Sequence, residues 1–64
     1  MKISLKAARV NAGMTQREAA KKINISRESL LAWENGKTVP QFTHVKALCE
    51  LYGVSVDDIF LSRQ

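Results

Sequence analysis

The chain has 64 residues and a formal net charge of +4, enough for one domain with one small hydrophobic core. Its single cysteine excludes an intramolecular disulfide, and no Cys/His spacing predicts a metal site. No apolar run reaches the ~20 residues of a transmembrane helix, and the N-terminal MKISLKAARV lacks the apolar segment of a signal peptide, so we expect a cytoplasmic protein.

Helix start and stop signals alternate along the chain. Each of the three glycines follows a segment with helical apolar spacing, where a helix commonly ends in the left-handed conformation. Thr15 with Glu18 has the spacing of a capping box, and Ser26 and Ser55 are candidate N-caps. Because no repeat, linker or low-complexity tract interrupts these signals, we expect a single domain over residues 1–64.

These signals predict five helices and an all-α fold. Asn24 is expected to end the second helix, because asparagine tolerates the left-handed conformation better than most residues. The one alternating stretch, residues 54–56, is too short to predict a paired strand. The predicted helices span residues 3–12, 16–23, 27–35, 42–52 and 56–61. Helical spacing predicts a core of Leu5, Ala8, Ala12, Ala19, Ala20, Ile23, Leu30, Trp33, Val45, Leu48, Cys49, Tyr52, Ile59 and Phe60.

The connection between the second and third predicted helices has only three residues, 24–26. So short a turn makes the helices cross steeply, which is the geometry of a helix-turn-helix that presents its second helix to the DNA major groove. Ala20 allows the two backbones to approach, and Ile25 can fill the corner. With Leu30 and Trp33 turned inward, the adjacent Leu31 must face outward.

The segment TQREAAKKINISRESLLAWEN, residues 15–35, resembles the helix-turn-helix of the lambdoid phage repressor and Cro family, also called the xenobiotic-response-element-like family. The likeness covers nearly the whole chain, from LKAAR through ENGK and PQF to LYGVSVDDIF. It implies a compact five-helix lambda-repressor-like DNA-binding domain with the third helix in the major groove. It also implies a transcriptional regulator, and we expect a repressor of phage or mobile-element type in a bacterial or phage-infected cell.

The resemblance also implies which residues contact DNA phosphates. Gln16 stands at the start of the second helix, where free amide N–H groups attract an anion in any case. Further positions follow the third helix or open the fourth. The expected phosphate contacts are Gln16, Arg17, Ser29, Asn35, Lys37, Thr38, Phe42 and Thr43.

Four outward positions of the third helix are expected to contact bases. Arg27 has the donors for guanine O6 and N7, and Glu28 can accept from cytosine N4. Leu31 and Ala32 carry no polar group and can contact only thymine methyls. The alternatives are that Arg27 is solvated, that Glu28 only interacts with the helix dipole, and that Leu31 is an ordinary exposed leucine.

Two further polar residues have structural interpretations. Arg9 and Glu34 lie on inward faces, and the resembling family commonly pairs these positions between its first and third helices. We therefore expect a partly buried salt bridge that orients the third helix. His44 is expected to be solvent-exposed and neither a metal ligand nor a catalyst.

The charge distribution favours a polyanionic partner. Residues 1–46 carry nine basic and three acidic side chains, a net charge of +6, whereas residues 47–64 carry one basic and three acidic side chains, a net charge of −2. A polyanion would thus be attracted to one end of the molecule. We expect pseudo-palindromic double-stranded operator DNA, bound by a weak homodimer that forms on DNA through Leu51, Leu61 and the last helix.

Two other functions stay open at this point. The first is a protein-interaction module such as an antitoxin subunit, which an apolar surface patch would favour over a basic one. The second is an enzyme, although the chain has no Ser/His/Asp set and no pair of carboxylates at a predicted cleft. No cofactor, metal, small-molecule ligand or membrane is expected.

Overall fold

Four α-helices and one 3-10 turn account for most of the computed structural model, which describes residues 2–61. Two strands of two residues each pair with one another in parallel. No helix within the described range has the length and apolarity to cross a bilayer. In chain order the elements are β1 Ile3–Ser4, α1 Leu5–Asn11, α2 Gln16–Lys22, α3 Arg27–Glu34, α4 Phe42–Tyr52, the 3-10 turn Val56–Asp58 and β2 Ile59–Phe60.

Side-chain caps determine where the first three helices begin. Ser4, Thr15 and Ser26 each accept a hydrogen bond from the backbone N–H three residues later. The predicted capping box is present: Thr15 Oγ1 accepts from the Glu18 N–H at 3.1 Å, and Glu18 Oε1 accepts from the Thr15 N–H at 2.9 Å. Because Ser4 is an extended N-cap, α1 begins two residues later than predicted.

Left-handed residues follow the helices as predicted. Asn24 has φ 60° and is the one non-glycine with positive φ within residues 2–61. Gly53, with φ 73°, ends α4 and donates its backbone N–H to the Cys49 carbonyl. A residue with a Cβ would be strained at such a φ, so glycine fits this position. All four helices end within one residue of the prediction.

The core lies where α1, α2, α3 and α4 meet. Leu30 of α3 and Leu48 of α4 are completely buried, and alanines on α1 and α2 let the backbones approach. Ala12, Ile23 and Trp33 are only partly buried and pack against this core. The prediction of Phe60 as a core residue is wrong, because the side chains of β2 alternate and Phe60 is 46% exposed.

The predicted fifth helix is wrong. Residues 56–58 form one 3-10 turn capped by Ser55, whose Oγ accepts from the Asp57 N–H at 3.3 Å. The chain then becomes extended and pairs with β1, with Ile3 opposite Ile59. Local sequence patterns cannot predict this pairing, because its two strands lie near opposite ends of the described chain.

Candidate nucleic-acid interface

The corner between α2 and α3 is fixed by backbone and apolar contacts. The Ile25 N–H donates to the Ala20 carbonyl at 2.9 Å, and the Ile25 side chain packs against the core. Ser26 then caps α3. Ala20 is 3% exposed, and its small side chain allows the backbones of the two helices to approach at the corner. The orientation of α3 relative to α2 is therefore set by the fold.

The side of α3 opposite Leu30 faces solvent. Arg27 and Glu28 in the first turn are exposed, Leu31 in the second turn is 37% exposed, and Ala32 is partly buried. Side chains four positions apart lie on one face of a helix, so Arg27 and Leu31 are neighbours. The four residues predicted to contact bases thus reach solvent to different extents, and their contact with DNA stays a prediction.

An open cleft lies beside the first turns of α2 and α3. It has a volume of about 580 Å³. Arg17 and Arg27 are exposed, and neither forms an ion pair with another residue in the described part of the chain. Their guanidinium groups therefore remain available to an anionic partner. The residues that line the cleft are Arg9, Met14, Thr15, Gln16, Arg17 and Arg27.

Arg9 and Glu34 form the ion pair expected from the sequence. Arg9 Nε donates to Glu34 Oε2 at 2.8 Å, and Arg9 Nη2 donates to Glu34 Oε1 at 3.4 Å. Arg9 Nη1 also donates to the Met14 carbonyl at 2.8 Å. The two side chains are 10% and 1% exposed. The pair joins α1 to the C-terminal end of α3.

Gln16 belongs to the same hydrogen-bond network, which the sequence did not predict. Its Nε2 donates to Glu34 Oε1 at 3.1 Å, so one carboxylate holds both Arg9 and Gln16. The side-chain Oε1 and the second side-chain N–H of Gln16 form no hydrogen bond among residues 2–61. A buried carboxylate needs several donors, but the sequence does not identify which side chains supply them.

The remaining predicted phosphate contacts are Ser29 in the first turn of α3 and residues that lie after α3 or at the start of α4. Phe42 is 66% exposed, and the α4 N-cap residue, Gln41, makes no side-chain capping bond. Among residues 2–61, the first backbone N–H groups of α4 are thus left without a side-chain acceptor. The Ser29 hydroxyl already takes part in a hydrogen bond within α3, because its oxygen accepts from Ser26 Oγ at 2.9 Å. Asn35, Lys37, Thr38 and Thr43 are exposed.

His44 connects the first turn of α4 to α3. Its ring lies 5.1 Å from the Trp33 ring between centroids, with 33° between the ring planes. The prediction that His44 is exposed is wrong, because the residue is partly buried and its Nδ1 is shielded from solvent. This contact places the start of α4, and hence Phe42 and Thr43, beside α3.

The chain has clear relatives among known proteins. A helix-turn-helix family model matches residues 5–59. An uncharacterised helix-turn-helix-type transcriptional regulator of Methanocaldococcus jannaschii is 36% identical over 61 residues, which cover 95% of this chain and 92% of the relative. A similar regulator of Archaeoglobus fulgidus is 30% identical over 61 residues, covering 95% and 87%. The transcriptional regulator ImmR of Bacillus subtilis is 43% identical over 53 residues, covering 83% and 42%. No solved structure matches the chain.

Proposed function

Because this chain belongs to the Cro/C1-type helix-turn-helix family, we propose that it is a sequence-specific regulator that binds double-stranded operator DNA with α3 in the major groove. The family is one of DNA-binding transcriptional regulators, which are generally not enzymes. The observation that carries the proposal is the cleft beside α2 and α3, where Arg17 and Arg27 are exposed and unpaired within residues 2–61. Such guanidinium groups are suited to phosphates and guanine edges.

In this proposal residues on either side of α3 bind the phosphates of the two DNA strands, and each row of phosphates is called a track. Gln16 and Arg17 at the start of α2 bind one track. Ser29 and the exposed residues after α3 bind the other track, together with the uncapped N–H groups of Phe42 and Thr43. These contacts set the position of α3 but carry no sequence information. The residues of the second track beyond α3 are Asn35, Lys37, Thr38, Phe42 and Thr43.

In this proposal, residues on the outward side of α3 contact the bases and determine the sequence preference. Arg27 donates to guanine O6 and N7, and Glu28 accepts from the N4 amino group of cytosine. Leu31 and Ala32 contact thymine methyls. The Arg9–Glu34 pair does not read bases in this scheme; it holds the end of α3 against α1.

A single recognition helix contacts only a few base pairs, so we propose that two copies bind a pseudo-palindromic operator with half-sites ~34 Å apart. Phe60 supports a contact between copies through β2, because it is 46% exposed. Leu51 and Leu61 are partly buried and belong to the same proposed surface. Bound over a promoter, such a pair would exclude polymerase, and we propose a repressor of phage or mobile-element type that acts as one domain over residues 1–64.

DNA affinity measured against salt concentration tests this function. Each lost phosphate contact should reduce the salt slope by about 0.9. Lys37→Ala is expected to weaken all duplexes about equally and to lower the slope, whereas Arg27→Ala should relax the preference at one base position and cost about 1–3 kcal/mol there. Lys6→Ala removes the same charge at an exposed site on α1, which carries none of the proposed DNA contacts, and serves as the control. Absence of binding to any duplex at low salt would contradict the proposal and favour the protein-interaction alternative.

A further inference from the structure

We propose that the Asn35–Gly36 peptide at the end of α3 is a site of spontaneous deamidation, and that the modification weakens DNA binding. The side-chain amide of Asn35 becomes a carboxylate without the action of an enzyme. Bound DNA protects the site, so free copies of the protein are converted faster than bound copies. The reaction itself is independent of the proposed function, whereas its effect on DNA binding and the protection by DNA rest on that function.

The reaction begins at the backbone nitrogen of Gly36. After losing its proton to water, this nitrogen attacks the side-chain Cγ of Asn35 and forms a new C–N bond. The bond from Cγ to the amide nitrogen breaks, and ammonia leaves with a proton from water. Water then opens the resulting succinimide at either carbonyl, which gives aspartate or isoaspartate. One water is consumed and one ammonia is released, and no electrons are transferred.

The sequence makes one asparagine more reactive than the others. The chain has three asparagines, and only Asn35 precedes a glycine. Asn11 and Asn24 precede alanine and isoleucine, whose side chains hinder the approach of the backbone nitrogen. Gly36 has no Cβ and can adopt the widest range of backbone conformations. Because Asn35 is also exposed, water reaches its amide, and we expect this asparagine to be converted first.

The hydrogen bonds that end α3 restrain the reaction. Gly36, with φ 78°, donates its N–H to the Trp33 carbonyl at 3.3 Å. Lys37 donates its N–H to the Ala32 carbonyl at 2.9 Å, which completes a Schellman motif. Asn35 has ψ −4°, at which the nitrogen of Gly36 is turned away from the Asn35 side chain. Closure of the five-membered ring therefore requires rotation about the Cα–C bond of Asn35, and this rotation breaks the motif.

Only the last turn of α3 has to open for this rotation. Helix ends open at a much lower free energy than the whole domain unfolds, and 3.3 Å is long for the hydrogen bond that holds the Gly36 nitrogen. In the proposed complex, Asn35 and Lys37 both contact phosphates. These contacts keep the turn closed, so bound duplex should slow the conversion of Asn35.

A carboxylate at position 35 opposes DNA binding. It is ionised at neutral pH and is repelled by the phosphate that the Asn35 amide is proposed to contact. Loss of a hydrogen bond to a charged group corresponds to roughly tenfold weaker binding. The new charge also lies at the C-terminal end of α3, where the helix dipole disfavours an anion and the last turn has no basic residue to offset it. Isoaspartate additionally lengthens the main chain by one methylene and displaces Gly36 from the Schellman motif.

Incubation of the full chain at neutral pH tests the site. Trypsin places the three asparagines in separate peptides, VNAGMTQR, INISR and ESLLAWENGK, and mass spectrometry detects the conversion of an amide to an acid in each. The peptide with Asn35 should be converted first in the folded protein and faster still in urea. Asn35→Gln keeps an amide but would need a six-membered ring, so position 35 should stay unconverted. Conversion of Asn35 no faster than that of Asn11 and Asn24 would overturn the inference.

A parallel incubation with a duplex selected by the full chain tests the link to DNA. The duplex should slow conversion of Asn35 and leave conversion of Asn11, which lies on α1, unchanged. Asn35→Asp, made directly, should bind this duplex roughly tenfold more weakly and lower the salt slope by about 0.9. Asn11→Asp adds the same charge at an exposed site on α1 and should have a smaller effect on both.

The outcomes separate the inference from the proposed function. If the duplex binds but does not slow conversion of Asn35, or if Asn35→Asp binds it as tightly as wild type does, the link between deamidation and DNA binding is wrong. If freshly prepared wild type binds no duplex, the proposed function fails and this link fails with it, whereas conversion of Asn35 ahead of the other asparagines would still establish the modification site.

Discussion

Tyr52 shows how one side chain responds to the network around Glu34. Its ring is in the core at 7% exposure, and its hydroxyl is buried without a hydrogen-bond partner in the described part of the chain. Burial raises the pKa of Tyr52 to about 12, and the Glu34 carboxylate adds to the increase while Arg9 opposes it. The phenol therefore stays protonated in the folded state at a pH where it ionises in the unfolded chain.

This difference predicts a loss of stability in alkali. Unfolded Tyr52 ionises near its ordinary pKa of 10, so the stabilising contribution is complete below pH 10 and is lost as the pH rises toward 12. A shift of this size corresponds to roughly 3 kcal/mol. Because the chain has one tyrosine, ultraviolet absorbance of the phenolate follows its titration directly. Tyr52→Phe should lose less stability over the same interval; identical pH profiles for the two proteins would contradict the assignment.

The sequence could predict individual contacts only where a resemblance supplied both partners. The Arg9–Glu34 pair was predicted in this way, and its 2.8 Å bond is present. The Gln16–Glu34 bond and the Trp33–His44 ring contact were not predicted. Helical periodicity indicates which face of a helix turns inward, but the atoms that meet depend on the side-chain conformations and the exact crossing of the helices.

At the scale of the helices, the caps and glycines made the prediction reliable. All four helices end within one residue of the prediction and three of them begin at the predicted residue, since an N-cap or a left-handed residue is a local property of the sequence. Residues 56–61 show the limit of this reasoning. Ser55 does cap the segment, but after one 3-10 turn Ile59 extends to pair with Ile3, a contact that no local signal encodes.

The capping box of α2 predicts a dependence on acid. Hydrogen bonds from the Thr15 backbone N–H and, to a smaller extent, from the Thr15 hydroxyl keep the pKa of Glu18 below its ordinary value of 4.5. A lowered carboxyl pKa stabilises the fold above the ordinary value, and this stabilisation is lost as the pH falls through the folded-state pKa. Thermal melts between pH 6 and about pH 3 should therefore show a smaller acid destabilisation for Glu18→Gln than for wild type. Glu50→Gln, at an exposed site on α4, should keep the wild-type profile; equal changes in both variants would contradict a role of the cap.

The ion pair between α1 and α3 predicts an unequal cost of single and double substitution. Glu34→Gln leaves the guanidinium of Arg9 buried without its counter-charge and should lower the free energy of unfolding by about 3 kcal/mol. The double variant Arg9→Met, Glu34→Leu removes both charges and should be more stable than the single variant. Urea unfolding followed by Trp33 fluorescence measures both. A Glu34→Gln protein as stable as wild type would show that the pair contributes little to holding α3.

The pairing of β1 with β2 joins the two ends of the described chain, and this is the feature of the whole molecule that most separates the structure from the prediction. Ile59 is 8% exposed and belongs to the core, so β2 is attached to the helices as well as to β1. In a domain this small, stability is shared among few buried side chains. Loss of one buried side chain near the C-terminal end of the described chain should therefore also destabilise α3, at the proposed DNA surface.

Ile59→Ala tests this coupling. The cavity it creates should lower the free energy of unfolding by about 2–4 kcal/mol and the melting temperature by roughly 10–30 °C. Phe60→Ala changes the adjacent residue of the same strand at a 46% exposed site and should cost less than about 1 kcal/mol.

Circular dichroism reports all helices, whereas fluorescence of the single tryptophan reports α3. If the strand pair belongs to one cooperative unit, the two transitions coincide and shift together in Ile59→Ala. If the two unfolding transitions of Ile59→Ala had different midpoints, or if neither midpoint differed from that of wild type, the terminal pairing would be independent of the helix-turn-helix.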